Sequence, residues 1–456
     1  MMPLLRLTSL ALVAASTLLV SCSSPLRNPE PEPVDLPPQE WFNQSDAVTP
    51  AADWWRQLGS DELNGLLDAA MQGNPDVQIA VERLTAANAS LRQSKADSWP
   101  SLSARAGASQ RRNLDESDAG FANSSSLSFS AGYEVDLWAR RATDIDSAEL
   151  ALESQRLVLR SVEMTLTGQV VQQYIALIAA QESLRLANSN LAASKELERI
   201  MQVKFEAGVV SGVELAQQRN TTLSLLSRLA GLEVSLANQK RALAFLVGSQ
   251  QLSVPEVVMT LEELTLPSVA DIQPAQLLTQ RPDIQQAAIA LWQSHASVWQ
   301  AETSRWPSLS LSADLSASDV LSPTGWALSF GESLAMPLID GGKIQAQIAQ
   351  AESAERVARI EYRTTVSAAM VEALDALSEL DYQVHELANS EAVLDNNRRL
   401  LSLAQIRFDS GDTDFTNLLS AQRTLFSAQD AMISARQSYL LALVSLYLTL
   451  GDIPRA

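Results

Sequence analysis

Cys22 is the one cysteine of the chain and the residue with the plainest chemistry. It closes the run Leu19-Val20-Ser21-Cys22, after an apolar stretch from Leu7 to Val20 that follows Arg6. A charged start, a short hydrophobic core and small residues before a cleavage point make an export signal, too short to span a bilayer. Leucine, two small or aliphatic residues and then cysteine read as a bacterial lipobox. The signal (residues 1–21) is then cut before Cys22, whose sulfur and new amine are acylated. Several acyl chains on one residue anchor stably where a single chain does not. The alternative is an ordinary signal with a cysteine in its cleavage zone, but an exported chain rarely keeps one unpaired thiol. Ser23 follows, and sorting rules for lipoproteins treat a residue other than aspartate there as permitting the outer membrane.

Other reactive side chains form no site. His295 and His385 are far apart and lack cysteine or acidic neighbours at ligand spacing, so no metal is expected. Gly341-Gly342-Lys343 lacks the phosphate-loop pattern, and no nucleophile elbow or triad spacing occurs. Carboxylates fall on helix faces beside bases, as in Glu196/Arg199 and Glu352/Arg356, ordinary exposed pairs. No catalytic residue is expected, and no cofactor beyond a covalent lipid on Cys22. The formal charge of −20 excludes a phosphate-backbone partner, so no nucleic-acid role is expected.

The elements that carry these residues are written twice. Residues 74–103 align without a gap with 281–310: Pro75-Asp76 returns as Pro282-Asp283, and Trp99-Pro100-Ser101-Leu102-Ser103 as Trp306-Pro307-Ser308-Leu309-Ser310. Residues 204–248 align more weakly with 407–451, keeping Phe205/Phe408, Gly208/Gly411, Leu215/Leu418 and Gly248/Gly451. A long period of this kind means one architecture in two copies. The expected division is a signal (1–21), an acylated start and extended tether (22–60), a first repeat (61–248), an equatorial connector (249–275), a second repeat (276–451) and a tail (452–456). Six prolines between Ser23 and Pro38 exclude helix and central strand there.

Each repeat opens with helix and then alternates. Leu102, Ala104, Ala106 and Ala108 interleave with Ser103, Arg105 and Gly107; Leu127, Phe129, Ala131, Tyr133, Val135 and Leu137 interleave with small or polar residues. The second repeat does the same from Leu309 to Leu315 and from Trp326 to Leu338, with a bulge expected near Gly331-Glu332. Period two over about ten residues is what a tilted membrane strand requires. A soluble amphipathic hairpin gives the same pattern, but Trp99 and Trp306 at the strand bases favour a membrane interface. The hairpins are placed at about 100–138 and 307–339. Four strands cannot close a barrel, an open edge in hydrocarbon leaves backbone groups unsatisfied, and a watery passage needs about a dozen strands. Other copies must complete the wall, and three copies of four strands suffice.

After each hairpin comes a long helical stretch, about 140–248 and 341–451 with its return. Leu150, Leu157, Met164, Val171 and Ile178 recur every seven residues, as do Leu380, Leu387, Leu394, Leu401 and Phe408. Sustained heptads mean a supercoiled seam. About 65 residues at about 1.5 Å each give a rod on the order of 100 Å. Gly208 and Gly411 turn each rod back on itself. The fold class is therefore mainly α with a β-barrel domain: a trimeric, twelve-stranded transmembrane barrel continued by long antiparallel coiled coils, with an internal two-fold repeat.

Taken in order, the signal, Trp-Pro-Ser-Leu at each hairpin, Asp136-Leu137-Trp138-Ala139-Arg140 and Asp340-Gly341-Gly342-Lys343 at the long helices, Phe-x-x-Gly at each turn and Leu418-Leu419-Ser420-Ala421-Gln422-Arg423 resemble the TolC-like outer membrane efflux proteins. With its lipobox the chain is similar to the lipoprotein branch that serves resistance–nodulation–division pumps. The resemblance implies a homotrimer in outer membrane lipid, an α-helical barrel crossing much of the periplasm, and a gate at the helical turns. A periplasmic adaptor and an inner-membrane transporter open that gate. Carried over, the gate positions are Asp412, Thr413, Thr416, Asn417 and Ser420, with Asp414 beside them and Val209, Ser211 and Glu214 facing the same tip. Relatives often carry a carboxylate where Asn417 or Ser420 stands; here the acids come earlier, at Asp412 and Asp414. Copies of Asp412 around a threefold axis would bring like charges together and favour bound cations; the alternative is a solvated acidic turn. The resemblance also fits the duct of a type I protein secretion system, and a non-conducting coiled-coil envelope protein is the alternative from another class.

Overall fold

The computed structural model describes residues 54–111, 121–249, 259–264, 281–318 and 325–451. Cys22, its signal and most of the tether and connector lie outside them. The described residues fall into two compact units. One is built on Arg83–Arg156 and Gln286–Thr364, the other on Leu157–Gln285, Thr365–Ala456 and the stretch ending at Glu82.

The first unit carries the sheet. Strands β1 (Ser101–Arg111), β2 (Ala122–Val135), β3 (Ser308–Ser318) and β4 (Trp326–Ala335) pair antiparallel in the order β1-β2-β3-β4. The two hairpins of the repeat thus join through β2 and β3, and β1 and β4 are left as edges. β3 and β4 pair without interruption from Ser308↔Ala335 to Ala317↔Trp326, so the bulge expected near Gly331-Glu332 is absent. Phe330, Glu332 and Leu334 stand on one face, and the apolar phase is kept. Glu332 is simply a polar residue in an apolar row.

Helices make up most of the remaining described residues, in both units. Helices α1 (Asp61–Gly73) and α2 (Pro75–Asp97) are separated at Asn74, whose side chain takes the Asp76 N–H at 2.8 Å while its Nδ2 donates to Leu246 O at 2.9 Å. α3 (Arg140–Glu206) returns as α4 (Gly212–Leu246); after α5 (Pro282–Thr303) and the second hairpin, α6 (Lys343–Asp409) returns as α7 (Phe415–Thr449). The second unit's core gathers Val170, Val171, Tyr174, Ile175, Leu177 and Ile178 of α3 with Leu440, Leu443, Val444 and Tyr447 of α7.

The tether expected to run to residue 60 ends sooner. Trp54–Leu58 is a 3-10 helix whose Trp54, Trp55 and Leu58 are buried in that core, Trp54 stacking on Tyr447 at 5.1 Å. Two adjacent tryptophans bury enough apolar surface to hold a short segment in place. Ser60 then caps α1 and also bonds Tyr174 at 2.8 Å. Leu261 and Leu264 of the connector enter the same core, and Leu261 N–H donates to Glu182 at 2.8 Å.

Candidate functional site

The sheet has two unlike faces, and the register says which residues share each. Rows such as Ala104↔Phe129↔Leu315↔Leu328 and Leu102↔Ala131↔Ala313↔Phe330 make one face apolar. Rows such as Ser103↔Ser130↔Asp314↔Ser329 and Arg105↔Ser128↔Ser316↔Ala327 make the other mostly hydroxyl. Side chains alternate across a strand, so a serine at every second position is sufficient to build the wet face. Leu334, Phe330 and Leu328 are each more than 60% exposed on the apolar face, more than a soluble sheet leaves in water.

At the strand bases the two repeats part company. Trp99 is 74% exposed, whereas Trp306 is half-buried against Trp138 (4.8 Å) and Trp299 (5.5 Å). Trp138 Nε1 donates to Pro307 O at 2.7 Å and Trp299 Nε1 to Trp138 O at 3.2 Å, which fixes the trio. Asp136 and Asp340 play one role in the two copies. Asp136 accepts from Ala142 N–H at 3.1 Å, and Asp340 from Ile344 N–H at 2.7 Å and Gly342 N–H at 3.0 Å. Those backbone donors, Ile344 first, hold the Asp340 carboxyl below its usual range. The left-handed turn that lets the carboxylate reach them sits on Gly341 and Gly342 in the second copy, but on Ala139 at φ 55° in the first.

The helical tip is formed by the two turns. Gly208 (φ 73°) and Gly411 (φ 76°) adopt the left-handed conformation that a Schellman ending needs: Val209 N–H reaches Lys204 O at 2.8 Å, and Asp412 N–H reaches Arg407 O at 2.8 Å. Beneath them Met201, Phe415, Leu418 and Leu419 are buried, with Val210 and Phe408 half-buried against them, and Phe408 and Phe415 meet edge to face at 5.7 Å. Phe415 carries this small core and was not singled out from sequence; its apolar neighbours come from three helices, which spacing along one helix does not reveal.

The expected gate residues divide by what holds them. Ser211 and Glu214 form a capping box, Glu214 accepting from Ser211 N–H at 2.7 Å and Ser211 from Glu214 N–H at 3.3 Å. Asp412 is paired with Arg407 at 3.0 Å, and Asn417 donates to Thr413 at 2.8 Å. Asp414 stands at the start of α7 without a side-chain cap bond. Asp414, Thr416, Asn417 and Ser420 are exposed, and Val209 is 70% exposed. Further apolar residues are uncovered along the rods, among them Val213, Leu223 and Val234 of α4 and Val393, Leu400 and Leu403 of α6.

Among the described residues no group of three or more His, Cys, Asp or Glu could hold a metal ion. His295 lies 3.6 Å from Glu355, and His385 shares a hydrogen bond with Asp381 O at 3.0 Å.

A sheet with one apolar and one hydroxyl face, in a chain that also forms paired long helices, defines a channel protein of the outer membrane. The chain belongs to the outer membrane efflux protein family, whose model matches residues 66–249 and 274–452. It is similar to the pyoverdine export outer membrane protein OpmQ of Pseudomonas aeruginosa, 30% identical over 98% of this chain and 97% of that one. It is also 27% identical to the solvent efflux pump outer membrane protein SrpC of Pseudomonas putida over 85% of this chain and 84% of that one. The CmeC outer membrane channel of Campylobacter jejuni shares the fold, with a TM-score of 0.82, 22% identity and 90% of each chain covered. The mainly helical fold with its small antiparallel sheet is the one expected from sequence, and the chain is an outer membrane efflux component rather than an enzyme.

Proposed function

We propose that three copies of the chain close a twelve-stranded barrel in the outer membrane and act as the passive exit duct of a tripartite efflux system for small organic molecules. One observation carries the reading: a sheet apolar on one face and hydroxyl-lined on the other, with the outer edges of β1 and β4 both left without a partner strand among the described residues. In hydrocarbon those edges need partners, and only another copy supplies them all round. The uncovered apolar residues of α4 and α6 support the same closure in the helical part. The export of pyoverdine and of solvents by relatives supports a small-molecule cargo.

The turns at Gly208 and Gly411 form the periplasmic gate, lined by Val209, Ser211, Glu214, Asp412, Thr413, Asp414, Thr416, Asn417 and Ser420. A periplasmic adaptor and an inner-membrane transporter of the resistance–nodulation–division type open it. Acylated Cys22 tethers the start of the chain to the outer membrane, and Trp99 and Trp306 mark the interface level. The test is purification from membranes followed by mass measurement of the assembly and single-channel recording. A trimer that conducts is the expected result; a monomer without current overturns the proposal. Mass spectrometry of the N-terminal peptide reads the acyl groups on Cys22 directly.

A further inference from the structure

We infer that Arg105 and Arg111 form an anion-favouring ring inside the barrel and set the charge preference of that section of the duct. The inference rests on the trimeric barrel proposed above. Both arginines stand on β1 in the hydroxyl face, in register with Ser128 and Ala122 of β2. The rest of the chain is strongly acidic, at −20 overall, so two uncompensated cations on the wet face are unexpected.

Their neutralisation can be checked strand by strand. On β2 the wet-face neighbours are Ser124, Ser126, Ser128 and Ser130, none of them charged. On its other side β1 is a sheet edge, and in a closed barrel it meets β4 of the next copy. The wet face of β4 carries Ala327, Ser329, Gly331, Ser333 and Ala335. It holds no acid, so among the described strand residues the arginines stay uncompensated whatever register the copies adopt. Glu332, the acid of β4, points to the opposite face, beside Leu311. Asp314 of β3 shares the wet face but lies two strands from β1 in either direction, roughly 10 Å of sheet. Glu134, the other wet-face acid, is already held by Arg141 at 3.2 Å. That arginine also donates to Asp97 O.

Each copy therefore brings two free guanidiniums and one free carboxylate to the wet face of the described sheet. Rings of charged side chains lining a pore select by sign. The favoured traffic is small organic anions, such as molecules bearing carboxylate or sulfonate groups.

The experiment is reversal-potential measurement across planar bilayers in a potassium chloride gradient, with the full-length protein. Arg105→Gln with Arg111→Gln is expected to lower the chloride-to-potassium permeability ratio by about threefold. Asp314→Asn moves it the other way, and the double lysine variant leaves it in place. A conducting pore whose reversal potential ignores both the glutamine and the asparagine variants overturns the assignment. Absence of any current from the unmodified protein overturns the pore itself, a separately visible outcome.

Discussion

Arg281 shows how one residue outside any recognised motif can organise its surroundings. Its side chain is 11% exposed and pairs with Asp283 and Glu372 at 2.7 Å each, while Nη1 donates to Thr449 O at 3.1 Å, near the end of α7. Sequence showed Pro282-Asp283 as a repeated pair but not its partner, because Glu372 and Thr449 lie far along the chain. Burial pushes the Asp283 carboxyl up, but the Arg281 hydrogen bond and charge outweigh it and hold it below its ordinary 3.8. A depressed carboxyl contributes stability above the unfolded value and loses it as pH falls through the folded one. Acid below about pH 4 is thus expected to weaken this contact. Arg281→Met should cost about 1–2 kcal/mol at neutral pH, since it strands two half-exposed carboxylates and a helix-end carbonyl. It should also flatten the acid limb of a melting-temperature profile between pH 7 and pH 3. An unchanged acid limb would show that the pairing contributes nothing. At the tip the same logic ranks the acids. Asp412 is occupied by Arg407 and Asp414 is not capped, so Asp414→Ala should raise single-channel conductance by about twofold and Asp412→Ala by less. Equal conductance in both variants and the parent would remove these acids from the gate.

Helices and strands differed in how openly the sequence declared them. The long helices were legible because a seven-residue repeat survives any mistake about neighbours, and the Gly208 and Gly411 turns because only glycine takes that backbone conformation cheaply. The strands were legible from alternation, yet Glu332 was misread as a break in phase. It occupies an apolar-face position in the row of Tyr133 and Leu311, near the base of the sheet, where a charge on a membrane strand costs little. Trp54–Leu58 was misjudged for a different reason: nothing local says that a proline-rich stretch will be followed by residues with a core to enter. Close helix packing was invisible too. A Cβ on Gly168 of α3 would sit 2.3 Å from Leu448 Cδ1 of α7, whereas one on Gly65 of α1 meets nothing within 4 Å. The same substitution should therefore change sign. Gly65→Ala is expected to stabilise by about 0.5–1 kcal/mol through helix propensity. Gly168→Ala is expected to destabilise by about 1 kcal/mol or more, because overpacking outweighs that gain. Thermal melts of the two variants check this, and a stabilised Gly168→Ala would mean the two helices can separate without cost.

At the scale of the assembly, the decisive question is which face of the sheet meets lipid. A lone four-stranded sheet could bury its apolar face against something else, and then the two faces would tolerate charge in the opposite way. Phe330 and Ser329 are neighbours on β4 but face opposite sides, in the rows of Ala313 and Asp314. If lipid covers the apolar face, Phe330→Arg places a guanidinium in hydrocarbon at a cost of about 2–4 kcal/mol per chain near the midplane. Each trimer bears that cost three times, so extracted protein should contain far less trimer. Ser329→Arg puts the same group on the wet face, where water solvates it. The trimer should survive, with lower conductance and a stronger preference for anions. Native gel analysis after membrane extraction reads the first effect and bilayer recording the second. The reverse outcome, an intact trimer with Phe330→Arg and a lost one with Ser329→Arg, would turn the sheet inside out and place the hydroxyl face against another surface.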